Sequence, residues 1–129
     1  MQYKKTADGN FVPLQRHNVD TGMGVERTVA MLQGKSSVYE TEIFAPMLEA
    51  IARLSGCDTS GTPHADPAFR VIADHIRSAV FILGDDMGPV PGNIGQGYVL
   101  RRLIRRATRH AKNLGLAPGF ASPLAQTII

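Results

Sequence analysis

Acid is what the last third of this chain lacks. After Asp86 there is no aspartate or glutamate, although the sequence runs on to residue 129. Tryptophan is absent, aromatic residues make up only 6% of the chain, and cysteine occurs once, at Cys57. One cysteine cannot form an internal disulfide, so a disulfide scaffold is excluded and a reducing, cytoplasmic setting is the expectation. His17, His64, His75 and His110 are scattered, without a cysteine pair or a close histidine neighbour, which argues against a zinc site. No stretch approaches the roughly 20 apolar residues of a membrane span. What remains, at 43% hydrophobic residues, is the composition of a globular domain with a single core.

The missing acid divides the charge. All 11 Asp/Glu lie in residues 1–86, which carry a net −3, whereas residues 87–129 carry +6. The formal net charge of +3 therefore hides an acidic front and a wholly basic back. The basic residues are Arg101, Arg102, Arg105, Arg106, Arg109 and Lys112. At about 100° per residue on a helix, Leu100, Leu103, Ile104, Ala107, Ala111 and Leu114 share one side. The cations cover the other, with His110 at the border. Solvated helix faces usually mix signs and carry Glu–Lys pairs one turn apart, and here there are none. Like charges at 101/105, 102/106 and 105/109 oppose the helix, so a partner that offsets them is expected. The apolar stripe lacks the Trp or Phe of an interfacial helix, and arginine forks suit phosphate. Nucleic acid is the expected partner, ahead of a membrane, with acids elsewhere in a larger protein as the other candidate.

A second feature is Val19-Asp20-Thr21-Gly22-Met23-Gly24-Val25-Glu26-Arg27, where an extended segment turns into a helix. Glycines let a ligand approach the backbone, and a helix start offers free N–H groups to anions. Arg27 could clamp phosphate or lie over an aromatic ring, and Asp20 suits an ammonium group. The dinucleotide fingerprint is not met, because Arg27 stands where its third glycine belongs. The plainer alternative is a glycine-rich connection in which Asp20 or Thr21 caps the helix and Arg27 is solvated.

The rest of the chain predicts a short β start followed by helices. Met1–Thr6 and Asn10–Leu14 flank the turn signal Ala7-Asp8-Gly9, and His17–Asp20 is a candidate third strand. Helices are expected over Gly24–Gln33, stopped by Gly34, and over about Thr41–Leu54, ended by Gly56. Cys57–Ala65 reads as a loop. Asp66-Pro67 opens a helix with Phe69, Ile72, Ala73, Ile76, Val80 and Leu83 inward. Its apolar end, Val80–Leu83, suggests a central position. Asp85–Gly97 is a loop, the basic helix spans about Tyr98–Leu114, and a further apolar helix begins near Ala121. Asp74, His75 and Arg77 on the apolar helix read as a structural polar network. A short hairpin wants more sheet beside it, so the chain is expected to be a slice of a longer protein.

Three stretches together resemble the alanyl-tRNA synthetase family. The segment Val19 to Arg27 is similar to its third signature motif. Arg70-Val71-Ile72-Ala73-Asp74-His75-Ile76-Arg77-Ser78 and Gly97-Tyr98-Val99-Leu100-Arg101-Arg102-Leu103-Ile104-Arg105-Arg106-Ala107 follow in the family's order and at similar spacing. The resemblance covers nearly the whole chain. It implies a mainly α chain. Residues 1–37 would end a class II catalytic domain, with a small antiparallel hairpin from its sheet, and residues 38–129 would begin a helical tRNA-recognition domain.

It also implies a function: ligation of alanine to the 3′ end of its tRNA, driven by ATP with Mg²⁺. Gly22, Gly24 and Arg27 would contact ATP, with Arg27 at the adenine or the γ-phosphate. Asp20 would hold the α-ammonium of alanine. Arg101, Arg102, Arg105, Arg106, Arg109 and Lys112 would approach the acceptor stem, or some of them would brace the rest of the catalytic-domain sheet. Many members carry an asparagine near the position of Gly95 to read a G·U pair there. Gly95 has no side chain, which leaves Asn93 or Gln96 as readers. The family's first two motifs do not occur in these 129 residues, so the chain alone is expected to be inactive. The alternative is a free-standing helical RNA-binding module without ATP chemistry.

Overall fold

A computed structural model describes residues 2–57 and 65–129. The chain opens with β1 (Tyr3–Lys5) and β2 (Phe11–Pro13), antiparallel, with Tyr3 opposite Pro13, Lys4 opposite Val12 and Lys5 opposite Phe11. Gly9, at φ 84°, makes the turn, and its N–H donates to the Thr6 carbonyl at 3.0 Å. Left-handed backbone there is what glycine permits. The expected third strand at His17–Asp20 does not form: these residues are exposed, and among the described residues the sheet consists of β1 and β2. Strand formation needs a partner edge, which local β propensity does not supply.

Helix α1 (Val25–Leu32) starts at Gly24, without a side-chain cap, so neither Asp20 nor Thr21 plays that part. Gly34, at φ 64°, lies just past its end. A 3₁₀ turn, Val38–Glu40, precedes α2 (Ala45–Ser55). This helix begins later than Thr41, because the ring of Pro46 blocks the carbonyl four residues back. Thr41 is instead fully buried, its hydroxyl donating to the Val38 carbonyl at 2.6 Å. Gly56 ends α2 in the left-handed region. The loop expected over Cys57–Ala65 falls mostly outside the described residues, as does His64.

Helix α3 (Pro67–Gly84) is capped as its sequence dictates: the Asp66 carboxylate accepts from the Ala68 N–H at 2.7 Å. Phe69, Ile72, Ala73, Ile76 and Ala79 are buried along it. Its end is less central than the apolar run suggested, since Phe81 is 61% and Leu83 51% exposed. Leu54, at the end of α2, is likewise on the surface.

Helix α4 (Gly95–Asn113) packs along α3, and a short α5 (Ala121–Ala125) closes the cluster. Ala107 and Ala111 share one core with Phe44, Met47, Leu48, Ile51, Phe69, Ile72, Ile76, Leu116, Phe120 and Leu124. The start of α3 thus meets the end of α4. Alanines on α4 bring its axis close to α3 while the long cations point away.

α4 begins three residues before Tyr98, because the preceding loop folds onto its first turn. The Gly92 N–H donates to the Gly97 carbonyl at 2.9 Å. A Cβ on Gly97 would stand 2.4 Å from the Val90 carbonyl oxygen, and that oxygen belongs to backbone. Gly97→Ala should therefore destabilise the chain by roughly 1–3 kcal/mol in urea denaturation. Gly95→Asn should cost less, because nothing lies within 4 Å of its Cβ and asparagine accepts the φ of 57° found there. Equal losses for the two variants would contradict this packing.

Candidate nucleotide and nucleic-acid surfaces

Two surfaces carry the chemistry expected from the sequence, one at the start of α1 and one along α4. In the first, Asp20, Thr21, Gly22 and Met23 run extended and exposed into the helix. Nothing approaches within 4 Å of the position a Cβ would take on Gly22, so that stretch of backbone lies open. At Gly24 the added Cβ would meet the Arg27 stem, with Cδ at 3.6 Å. Arg27 therefore folds back over the turn that the glycines form. Its guanidinium is exposed, and among the described residues neither Arg27 nor Asp20 has a charged partner. These side chains are free for a ligand.

Glu26, next to Arg27, is turned inward. Its Oε1 lies 2.9 Å from Nη1 of Arg77 on α3, and both side chains are largely covered. The Arg77 guanidinium also lies 5.4 Å from the Phe44 ring and 5.2 Å from the Phe81 ring. The Glu26 carboxyl is held below the usual carboxylate range, first by its own backbone N–H and further by Arg77, against the opposing effect of partial burial. Asp74 lies one turn from Arg77 on α3. Asp74 faces His75 instead, Oδ2 to Nδ1 at 3.2 Å. Nearby, Arg70 lies over the Tyr39 ring at 5.4 Å, and Tyr39 packs on Phe44. Burial and the charge of Asp74 push the Tyr39 phenol up. Asp74, His75 and Arg77 thus sit in a polar layer between α1, the 3₁₀ turn and α3.

Along α4 all six cations are exposed. A groove of about 540 Å³ is lined by Arg105, Arg106, Thr108, Arg109 and Lys112. Among the described residues none of these cations meets a carboxylate. The field along the groove is left unneutralised, as the acid-free sequence implied. The other two arginines are engaged locally. Arg102 lies over the Tyr98 ring at 5.7 Å. Arg101 Nη1 donates to Oδ1 of Asn93, which the sequence placed in an unconstrained loop. Gln96 is exposed at the same end of the helix.

Among the described residues no three His, Cys, Asp or Glu side chains stand close enough to hold a metal ion. The two surfaces therefore present fixed cations and open backbone, but no divalent-metal donor set. No helix among the described residues is long and apolar enough to cross a membrane.

The family described as tRNA synthetases class II (A) matches residues 1–129. The chain is 55% identical to the alanine–tRNA ligase of Treponema pallidum over 129 residues, which is 100% of this chain and 21% of that protein. It is 56% identical to the alanine–tRNA ligase of Treponema denticola, over 100% of the chain and 22% of the relative. Identity to the alanine–tRNA ligase of Halalkalibacterium halodurans is 43%, over 98% of the chain and 14% of the relative. The chain spans about a fifth of the length of the two Treponema relatives.

The Glu26–Arg77 pair has a testable sign. Because folding lowers the Glu26 pKa, its contribution is present above the ordinary carboxylate value and is lost as pH falls through the depressed one. Glu26→Gln should be less stable than the parent at neutral pH, by no more than about 1 kcal/mol given its exposure. The gap should close on acidification when urea midpoints are compared. A gap that widens in acid would contradict the pairing.

Proposed function

Because the chain belongs to the class II (A) family of tRNA synthetases, we propose that it serves in ATP-dependent ligation of alanine to tRNA as part of a longer enzyme. The match of the entire chain to alanine–tRNA ligases carries this reading. Residues 1–37 are assigned to the end of the catalytic domain and residues 38–129 to the start of the tRNA-recognition domain. The exposed hairpin fits the edge of a larger sheet, because a two-stranded ribbon is marginal alone.

The reaction has two steps. The alanine carboxylate attacks the α-phosphorus of ATP, forming the alanyl-adenylate as pyrophosphate leaves. A terminal ribose hydroxyl of the tRNA then attacks the adenylate carbonyl, and AMP leaves. The first step depends on in-line placement and neutralisation of phosphate charge. Arg27 would supply fixed positive charge against ATP, at the adenine or the γ-phosphate. The open backbone at Gly22, and Gly24 beneath the Arg27 stem, would let the nucleotide lie close, and Asp20 would hold the α-ammonium of alanine. Mg²⁺ would offset further phosphate charge when bound. The described residues supply no ligand set for it, so no step here is routed through it.

On α4, the groove of Arg105, Arg106, Arg109 and Lys112 is assigned to the phosphates of the acceptor stem. Arg101 and Arg102 complete the basic strip from its other end. Of the two candidate readers of the G·U pair, Asn93 is favoured over Gln96, because the bond from Arg101 fixes its amide. A preset amide loses less freedom on meeting a base edge.

In the full-length enzyme, Arg27→Ala should raise the KM for ATP in alanine-dependent pyrophosphate exchange. Asp20→Ala should chiefly raise that for alanine, by about tenfold or more for a lost charged contact. Wild-type kinetics in both variants would remove these roles. The 129-residue chain alone should show no exchange above background.

The same chain should bind an acceptor-stem duplex with a log–log salt slope of roughly −3.6, as four phosphate contacts require. Changing Arg106 and Arg109 together to Ala should flatten that slope by about 1.8. Salt-independent binding would contradict the assignment of this groove to RNA.

A further inference from the structure

The geometry points to Arg77 as a positioning residue: stacked by Phe44 and Phe81 and paired with Glu26, it sets the rotation of α1 and so the direction in which Arg27 faces. The inference rests on the assignment of Arg27 to ATP and extends it to a residue on a different element.

Helix α1 is poorly anchored by packing. Ala30 is its one buried residue. Met31 and Leu32 are more than 80% exposed, and Val25 is 66% exposed. So short a helix, with one buried residue and Thr28 and Val29 half-covered, gains little from packing to fix its rotation, and polar contacts carry that part. Just past its end, Gln33 Nε2 donates to Glu42 Oε2 at 2.5 Å. In its first turn the directed contact to another element is Glu26 to Arg77, at 2.9 Å.

That contact is well suited to fixing an angle. A guanidinium is planar, and with Phe44 at 5.4 Å and Phe81 at 5.2 Å its direction is set before it meets Glu26. Consecutive helical residues diverge by about 100°. With Glu26 turned toward α3, Arg27 must face away from it, over Gly24 and the open backbone before α1. Removing the pair leaves Arg27 chemically intact but no longer aimed. A small change of angle at an arginine that contacts ATP weakens binding of that substrate selectively.

The test uses the full-length enzyme and alanine-dependent pyrophosphate exchange, with Glu26→Gln, Arg77→Met, their combination and Arg27→Ala. Glu26→Gln and Arg77→Met should each raise the KM for ATP about five- to tenfold and leave the KM for alanine within about twofold. Since both act through one contact, the double variant should be no worse than the poorer single one. Glu26→Gln keeps the shape of a partly exposed side chain, so it carries the test if Arg77→Met fails to fold by circular dichroism. Parallel losses in both substrates, or single effects that multiply in the double variant, would overturn the proposal. A defect in Arg27→Ala beside a wild-type Glu26→Gln would overturn it alone and spare the role of Arg27. A wild-type Arg27→Ala would remove that role and the proposal with it.

Discussion

The close packing of α4 along α3 is the constraint from which the rest of the structure follows. Ala107 and Ala111 meet the face of α3 that carries Ile72, Ala73 and Ile76, and Gly97 lets the 90–97 loop close over the start of α4. Small residues at these points remove volume that would hold the helices apart. The apolar side of α4 is thereby committed to the core. With that side fixed, the direction of every arginine on the helix is fixed as well. Their charges cannot be buried, and the chain after Asp86 has no acid to offset them.

The second consequence concerns α3, which faces two ways. One side supports α4 and its basic face, while Arg77 reaches α1 and the glycine turn before it. One helix thus bridges two surfaces that would act on different substrates, a nucleotide and an RNA. The polar layer of Tyr39, Arg70, Asp74, His75 and Arg77 lies on this bridge. Polar groups suit a junction of this kind, because ion pairs and ring contacts specify an angle that apolar packing leaves loose.

Local signals were legible in the sequence and long-range ones were not. Asp66-Pro67 marked the start of α3, and Gly34 and Gly56 marked helix ends, because caps and left-handed glycines are determined by adjacent residues. The two faces of α4 followed from periodicity alone. The strand expected at His17–Asp20 failed because pairing needs a neighbour that propensity does not reveal. The inward ends of α2 and α3 were overestimated: Leu54 and Leu83 continue the apolar period but run past the elements that would cover them. In the candidate site, Asp20, Gly22, Gly24 and Arg27 could be singled out by type and spacing. The partner of Arg77 could not, since Asp74 was the nearer acid and the choice of Glu26 depends on how α1 docks. Likewise the Arg101–Asn93 contact requires the loop to fold back onto α4.

The central claim is that the acid-free helix presents its arginines to RNA phosphates while Arg70 and Arg77 on α3 hold the protein together. Arginine side-chain NMR of the 129-residue chain, titrated with an acceptor-stem duplex, tests it directly. The Nε–Hε signals of Arg105, Arg106 and Arg109 should shift and sharpen on binding, while that of Arg77 stays in place. Unmoved α4 signals, or a response spread evenly over all the arginines, would contradict the account.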